Sequence, residues 1–120
     1  MVVDELDQLR DANPGCKMVA YADLSAHMIL VTDSGTTQPR EVLDALCNEA
    51  ASLLGTKGKP SLGKSPGNAA VWATAASLRV FLRAPGEPND VLCCVCAPNV
   101  NVGKLVAKAS ACLDRISGDA

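Results

Sequence analysis

Hydrophobic residues recur along this chain at two spacings, and each spacing predicts a different kind of element. Apolar side chains three to four residues apart predict amphipathic helices. Runs of β-branched and other apolar residues between turn formers predict strands. The predicted order is a helix over 3–12, strands over 16–22 and 27–33, a helix over 40–54, strands over 69–74, 78–83 and 91–96, and a helix over 102–116. Short turns between neighbouring strands indicate an antiparallel sheet covered by three helices, so the fold class is α+β in the order αββαβββα.

The helix predicted over 40–54 is apolar around an unusually large part of its circumference. One face is formed by Leu43, Leu46, Cys47, Ala50 and Leu54, and it is widened by Val42, Ala45 and Leu53. A thin polar strip remains, formed by Glu41, Asp44, Asn48 and Ser52. A helix resting on one sheet needs apolar cover over only about a third of its circumference. The excess therefore predicts a second contact surface, and self-association is the simplest explanation.

Three other segments carry information about organisation. Residues 55–68 combine glycines, prolines and lysines, which predicts a flexible loop within a single domain spanning 3–117. The continuous apolar run over 91–96 predicts a fully buried central strand. Arg79 and Arg83 alternate with apolar residues, which is typical of the solvent face of a half-buried strand and would also suit an anionic partner.

Length, composition and charge exclude several classes of protein. The chain has 120 residues, of which 48% are hydrophobic and 20% charged, which is ordinary usage for one globular domain. A net charge of -2 and an aromatic content of 2% argue against nucleic acid as a partner. The longest apolar run, over 91–97, is too short to span a membrane, and no secretory signal is visible. We therefore expect a cytoplasmic protein without a membrane span.

The segment Gly58–Ser65 matches the phosphate-loop expression G-x-x-x-x-G-K-S letter for letter. That mechanism requires a strand before the loop and a helix after it, so that backbone amides and the helix dipole meet at the phosphate. Here a helix precedes the segment and Pro66-Gly67 follows it. This context argues against nucleotide binding. A phosphate-loop nucleotide enzyme is therefore the least favoured hypothesis.

The cysteines raise a second chemical possibility. Six cysteines among 120 residues fall below the roughly 8–10% typical of disulfide scaffolds, so free thiols are expected. Cys93, Cys94 and Cys96 lie close enough in sequence to suggest a zinc, Cu(I) or redox site. On a strand, however, Cys94 and Cys96 share one face while Cys93 points to the other. A thiol-based metal or redox sensor is kept as the alternative function.

No residue pattern in the chain predicts catalysis. His27 is the only histidine, and its neighbours Asp23 and Ser25 lie at a hairpin turn, where such groups usually cap and solvate the backbone. No pair of acidic residues is placed for hydrolysis. The protein is therefore expected not to be an enzyme, with no catalytic residue, no cofactor and no metal.

In this order, the elements resemble the roadblock family of dynein-light-chain-type proteins, which includes bacterial regulators of small Ras-like GTPases. The resemblance runs from Leu6 to Ile116. It is carried by a first helix ending in Asn13-Pro14-Gly15, the hairpin Met18–Thr32 followed by Asp33-Ser34-Gly35, the helix Arg40–Leu54 and the junction Ala97–Leu105. The loop over 55–68 is longer and more basic than the family pattern.

The resemblance implies a five-stranded antiparallel sheet with the middle helix on one face and both terminal helices on the other. It also implies dimers, with a second copy or a paralogue, in which middle helices pack together and third strands join edge to edge. The implied dimer interface is Val42, Leu43, Leu46, Leu53, Ala70 and Val71. Such dimers act as platforms for a Ras-like GTPase or a signalling complex and need no active site of their own. The surface expected to face that partner is Glu41, Asp44, Asn48 and Ser52.

Overall fold

The computed structural model describes residues 2–54, 69–84, 87 and 89–118, and these form three helices and five strands. The elements are α1 (Val2–Ala12), β1 (Cys16–Asp23), β2 (Met28–Thr32), α2 (Arg40–Leu54), β3 (Ala69–Ala73), β4 (Leu78–Arg83), β5 (Asp90–Cys96) and α3 (Val102–Gly118). Each predicted element is present with its predicted type, and the bounds differ only at the ends. The predicted loop over 55–68 and the phosphate-loop match within it lie outside the described residues. None of the described helices is long and apolar enough to cross a membrane.

The strands form one sheet in the order β2-β1-β5-β4-β3, and every neighbouring pair is antiparallel. β5 lies at the centre, which confirms the prediction that its continuous apolar run is a buried strand. β2 and β3 lie at the two edges. A central strand has neighbours on both sides and layers above and below it, so both of its faces must be apolar.

The helices cover the two faces of the sheet unequally. One core contains residues of α1 and α3, such as Leu6 and Leu105, packed on Val19, Val80 and other strand residues. The opposite core contains α2 residues packed on Phe81, Val91 and their neighbours. We call these the terminal-helix face and the α2 face. This arrangement confirms the fold expected from the roadblock resemblance.

The arginines of β4 correct one expectation. Arg79 and Arg83 were predicted on a solvent face, but both lie on the α2 face, because their cross-strand partners Val95 and Val91 pack in that core. Arg83 is buried and donates a hydrogen bond from Nη2 to the Leu54 carbonyl at 2.7 Å, in the last turn of α2. A cation at the negative end of a helix dipole is stabilising. The alternating pattern was right, but β4 is covered by helices on both faces.

Candidate functional site

A groove of about 560 Å³ runs along one flank of α2. It is lined by Val42, Ala45 and Glu49 of α2, by Met18, Arg79 and Val95 of the sheet, and by the connection that precedes α2, among others. Apolar side chains form much of its surface, and a few charged and polar groups stand at its rim. Such a composition is typical of a surface that binds another protein or an apolar ligand.

A row of cross-strand partners explains how the sheet builds one side of this groove. Trp72 of β3 pairs with Arg79, Arg79 pairs with Val95, and Val95 pairs with Met18. Residues directly opposite each other in antiparallel strands project from the same face. The row therefore crosses the α2 face at one end of the sheet and carries the surface out to Trp72 at the β3 edge.

Two large apolar side chains on this face are exposed to solvent. Val42 and Trp72 each keep 43% of their surface accessible. Between them, the Arg79 guanidinium forms an ion pair with Glu49 that joins β4 to α2. The pair is partly buried, so it fixes the flank of α2 against the sheet more firmly than a solvated pair would.

The predicted interface residues divide into three groups in the structure. Val42 is exposed, and Leu43, Leu53 and Ala70 are half-buried against the α2-face core. Leu46 is only 3% exposed and belongs to the chain's own core, so its side chain is not free to form a surface.

Val71 is the third case. It is 51% exposed, but its cross-strand partner Val80 packs in the terminal-helix core. Its side chain therefore projects from the opposite face. The exposed apolar side chain that sequence reasoning missed is Trp72, which shares the α2 face with Ala70 because the two are two positions apart on one strand. Strand alternation could have predicted that Trp72 and Ala70 share a face. Trp72 was a conspicuous candidate because it is the only tryptophan.

The predicted polar strip lies on the outward side of α2. Glu41, Asn48 and Ser52 are exposed, and Asp44 is intermediate in exposure. Asp44 forms a solvated ion pair with Arg40, one turn away, at 3.5 Å. An exposed pair of this kind contributes little to stability, so both acidic groups of the strip remain available to a partner.

The thiols do not form the arrangement that the sensor hypothesis requires. Cys94 and Cys96 lie on the terminal-helix face, whereas Cys93 lies on the α2 face, as strand alternation predicts. Burial raises the pKa of Cys93 well above its usual range. Within the described ranges, no group of three or more His, Cys, Asp or Glu side chains is arranged to hold a metal.

The only histidine stands in the turn between β1 and β2, as predicted. His27 is exposed, and the neighbouring Asp23 carboxylate accepts hydrogen bonds from the Ser25 amide at 2.9 Å and its hydroxyl at 2.6 Å. The hydrogen bond from the Ser25 hydroxyl lowers the pKa of Asp23. These contacts close a turn.

Comparison with solved structures identifies the fold. MglB of Myxococcus xanthus superposes with a TM-score of 0.75 at 12% identity, covering 98% of this chain and 92% of that chain. A roadblock/LC7 domain from Streptomyces avermitilis gives 0.72 at 9% identity, covering 95% and 92%. MglB in a tetrameric arrangement gives 0.71 at 13% identity, covering 95% and 83%. No protein-family model and no curated protein matches the chain. The chain therefore has the roadblock/LC7 fold, with very little sequence in common with these structures.

Proposed function

We propose that this protein is a non-enzymatic regulator or scaffold that forms dimers through its α2 face and binds a Ras-like small GTPase or a related signalling complex. The observation that carries the proposal is the presence of two exposed apolar side chains, Val42 and Trp72, on the face that the roadblock resemblance assigns to dimer contact. The same location is expected from the excess apolar circumference of α2. A cytoplasmic location is part of the proposal.

Dimer formation would cover two unfavourable features together. Among the described strands, none pairs with the outer edge of β3, and an unpaired edge invites further strand pairing. Trp72 exposes apolar surface on that same edge strand, and Val42 exposes apolar surface on α2. A twofold contact with a second copy or a paralogue would pair the edges and bury both side chains. One MglB structure of this fold has a tetrameric arrangement, and we take this as support for self-association of this chain.

The partner would bind the outward strip of α2. Glu41, Asp44, Asn48 and Ser52 line that strip, with two carboxylates that suit a partner carrying Lys or Arg. A platform of this kind acts by holding or remodelling its partner, so it needs no catalytic group of its own. The alternative, a thiol-based metal or redox sensor built on Cys93, Cys94 and Cys96, is less well supported, because Cys93 points away from the other two.

The dimer is tested by light scattering of the purified protein and two variants. Val42→Glu with Trp72→Glu places charge in the proposed interface, and we expect a monomer, because burying unpaired carboxylates is costly. Leu30→Glu is the matched control: Leu30 is 51% exposed on β2, at the opposite edge of the sheet. The control should remain dimeric. A wild-type monomer, or a double variant that stays dimeric with wild-type circular dichroism, contradicts the proposal. Leu46→Glu is unsuitable, because it would disrupt the core.

A further inference from the structure

Three thiols from two strands converge on the terminal-helix face. Cys16 is the first residue of β1, and its register partner is Cys96, the last residue of β5. Both lie in the same core as Cys94. The sequence suggested a group of Cys93, Cys94 and Cys96. In the structure, Cys16 lies with Cys94 and Cys96 instead of Cys93.

A β-bulge brings Cys16 to this face. The register shifts between Cys16 and Met18, whose partners Cys96 and Val95 are adjacent, so Lys17 is the extra residue. Regular alternation would place Cys16 and Met18 on the same face. The bulge instead leaves Met18 in the α2-face core and turns Cys16 toward the terminal helices.

The register places Cys16 directly opposite Cys96, and that position in an antiparallel pair suits a disulfide. Directly opposite residues in antiparallel strands have Cα atoms about 4.5 or 5.5 Å apart. Both values lie inside the range of about 4.4–6.8 Å found for disulfides. Cys94 shares the face but is paired with Val19, and Cys93 faces the other core. Cys96 is therefore the resolving partner that the backbone places opposite Cys16.

Cys16 is also the thiol best placed to react first. It is 8% exposed, whereas Cys94 and Cys96 are 1% and 0% exposed. Hydrogen bonds from the Cys94 and Cys96 thiols lower the pKa of Cys16. The same contact with Cys16, together with burial, raises the pKa of Cys94 and of Cys96. Because the thiolate is the nucleophile, Cys16 is the thiol expected to attack an oxidant first.

We propose that Cys16 and Cys96 form an oxidation site in which a peroxide converts the two thiols to one intramolecular disulfide. The Cys16 thiolate attacks hydrogen peroxide, an S–O bond forms, the O–O bond breaks, and the departing hydroxide is protonated to water. Cys96 then loses its proton and attacks the sulfenic sulfur; the S–S bond forms, the S–O bond breaks, and a second water leaves. Two thiols lose two electrons in total, and the peroxide gains them.

The disulfide would link the segment that follows α1 to the segment that precedes α3. Gly15, at the end of the turn after α1, accepts a hydrogen bond from Ala97 at 2.8 Å, where β5 turns toward α3. A covalent link beside this contact would restrain the junction, and both sulfurs lie in the core opposite the α2 face. The proposal therefore stands independently of the proposed dimer.

The test is treatment of the full-length protein with hydrogen peroxide, followed by thiol counting in denaturant. We expect the six free thiols to fall to four, because one disulfide consumes two. A nonreducing tryptic map should link the peptide that ends at Lys17 to the peptide that begins at Ala84.

Two matched variants identify the partner. Cys96→Ser should abolish the linked peptide, and Cys94→Ser, a change on the same strand and face, should retain it. Circular dichroism establishes that both variants are folded, and Cys16→Ser provides a second test that should also lose the link. An unchanged thiol count, a mixed linkage, or a link lost in Cys94→Ser but kept in Cys96→Ser overturns the proposal.

Discussion

The Asp33 carboxylate connects three parts of the chain. Its side chain is fully buried and accepts hydrogen bonds from the Val19 amide at 3.0 Å and the Thr36 hydroxyl at 2.6 Å. Arg10 of α1 forms an ion pair with it at 2.8 Å. Gly35 belongs to the same cluster, because a Cβ there would collide with the Arg10 guanidinium. One carboxylate thus holds α1, β1 and the connection to α2 together.

This site makes stability depend on pH. Burial alone would raise the pKa of Asp33, but hydrogen bonds from Thr36 and Val19 and the charge of Arg10 outweigh it and lower the pKa. A lowered folded-state pKa contributes stability above the unfolded value of about 3.9, and that contribution is lost as pH falls through the folded pKa. Asp33→Asn should cost about 2 kcal/mol at pH 7 in urea unfolding. Its deficit relative to wild type should shrink below about pH 4.

Asp11→Asn is the control for this measurement, since Asp11 is exposed on α1. It should leave the free energy of unfolding within about 0.5 kcal/mol of wild type. A deficit of Asp33→Asn that stays constant from pH 7 to pH 3 would show that its charge is not what stabilises the fold.

His27 shows a different kind of local constraint. Its φ of 54° lies in the left-handed region, where L-residues other than Asn, Asp and His are uncommon. Histidine is therefore suited to this turn conformation. The imidazole is exposed and has no hydrogen-bond partner among the described residues of the hairpin. A conformational role accounts for the histidine.

At the scale of elements, α2 is a helix with two apolar sides. Its sheet-facing side is buried and consists of Leu46, Cys47, Ala50 and Leu54. Its flank exposes Val42 and Ala45. The end of the helix is fixed by the hydrogen bond from Arg83 to the Leu54 carbonyl. Carbonyls in the last turn lack partners within the helix, so this contact satisfies one of them.

Replacing the arginine tests the importance of that contact. Arg83→Met keeps an apolar chain in the core but removes the donor, so the buried Leu54 carbonyl loses this bond. We expect a loss of about 1–3 kcal/mol in the free energy of unfolding, measured by urea titration. Arg40→Met, at the exposed start of the same helix, should lose well under 1 kcal/mol, or about the value of a surface ion pair. Equal losses in the two variants would refute the helix-end role.

At the scale of the whole molecule, the two faces of the sheet differ in how completely they are covered. Two helices cover the terminal-helix face, and one helix covers the α2 face and leaves the groove beside it. Self-association and partner binding are both proposed for that less covered side. The proposed oxidation site lies in the core of the opposite face.

Partner binding gives a prediction at this scale. A Ras-like small GTPase from the same organism, loaded with a nonhydrolysable GTP analogue, should bind the wild-type protein in a calorimetric titration. Glu41→Lys with Asp44→Lys should weaken that binding about tenfold or more, because charge complementarity across the strip is reversed. Lys104→Glu with Lys108→Glu, on the exposed side of α3, is the control and should bind as wild type. The strip is wrongly assigned if only the α3 variant loses affinity.

The sequence by itself determined the order and type of the elements, the central position of β5 and the opposite orientations of Cys93 and Cys94. Those properties follow from local periodicity, which each segment carries in its own residues. The resemblance to roadblock proteins supplied the arrangement of helices on the two faces, and the structure has that arrangement.

Only the tertiary structure decided which side chains meet or remain exposed. Periodicity shows that α2 is broadly apolar, but packing decides that Leu46 is buried while Val42 is not. Pairing of β3 with β4 decides that Trp72, not Val71, shares the α2 face. The bulge at Lys17 decides that Cys16 meets Cys96. Register and bulges depend on contacts between distant segments, so no local pattern can fix them.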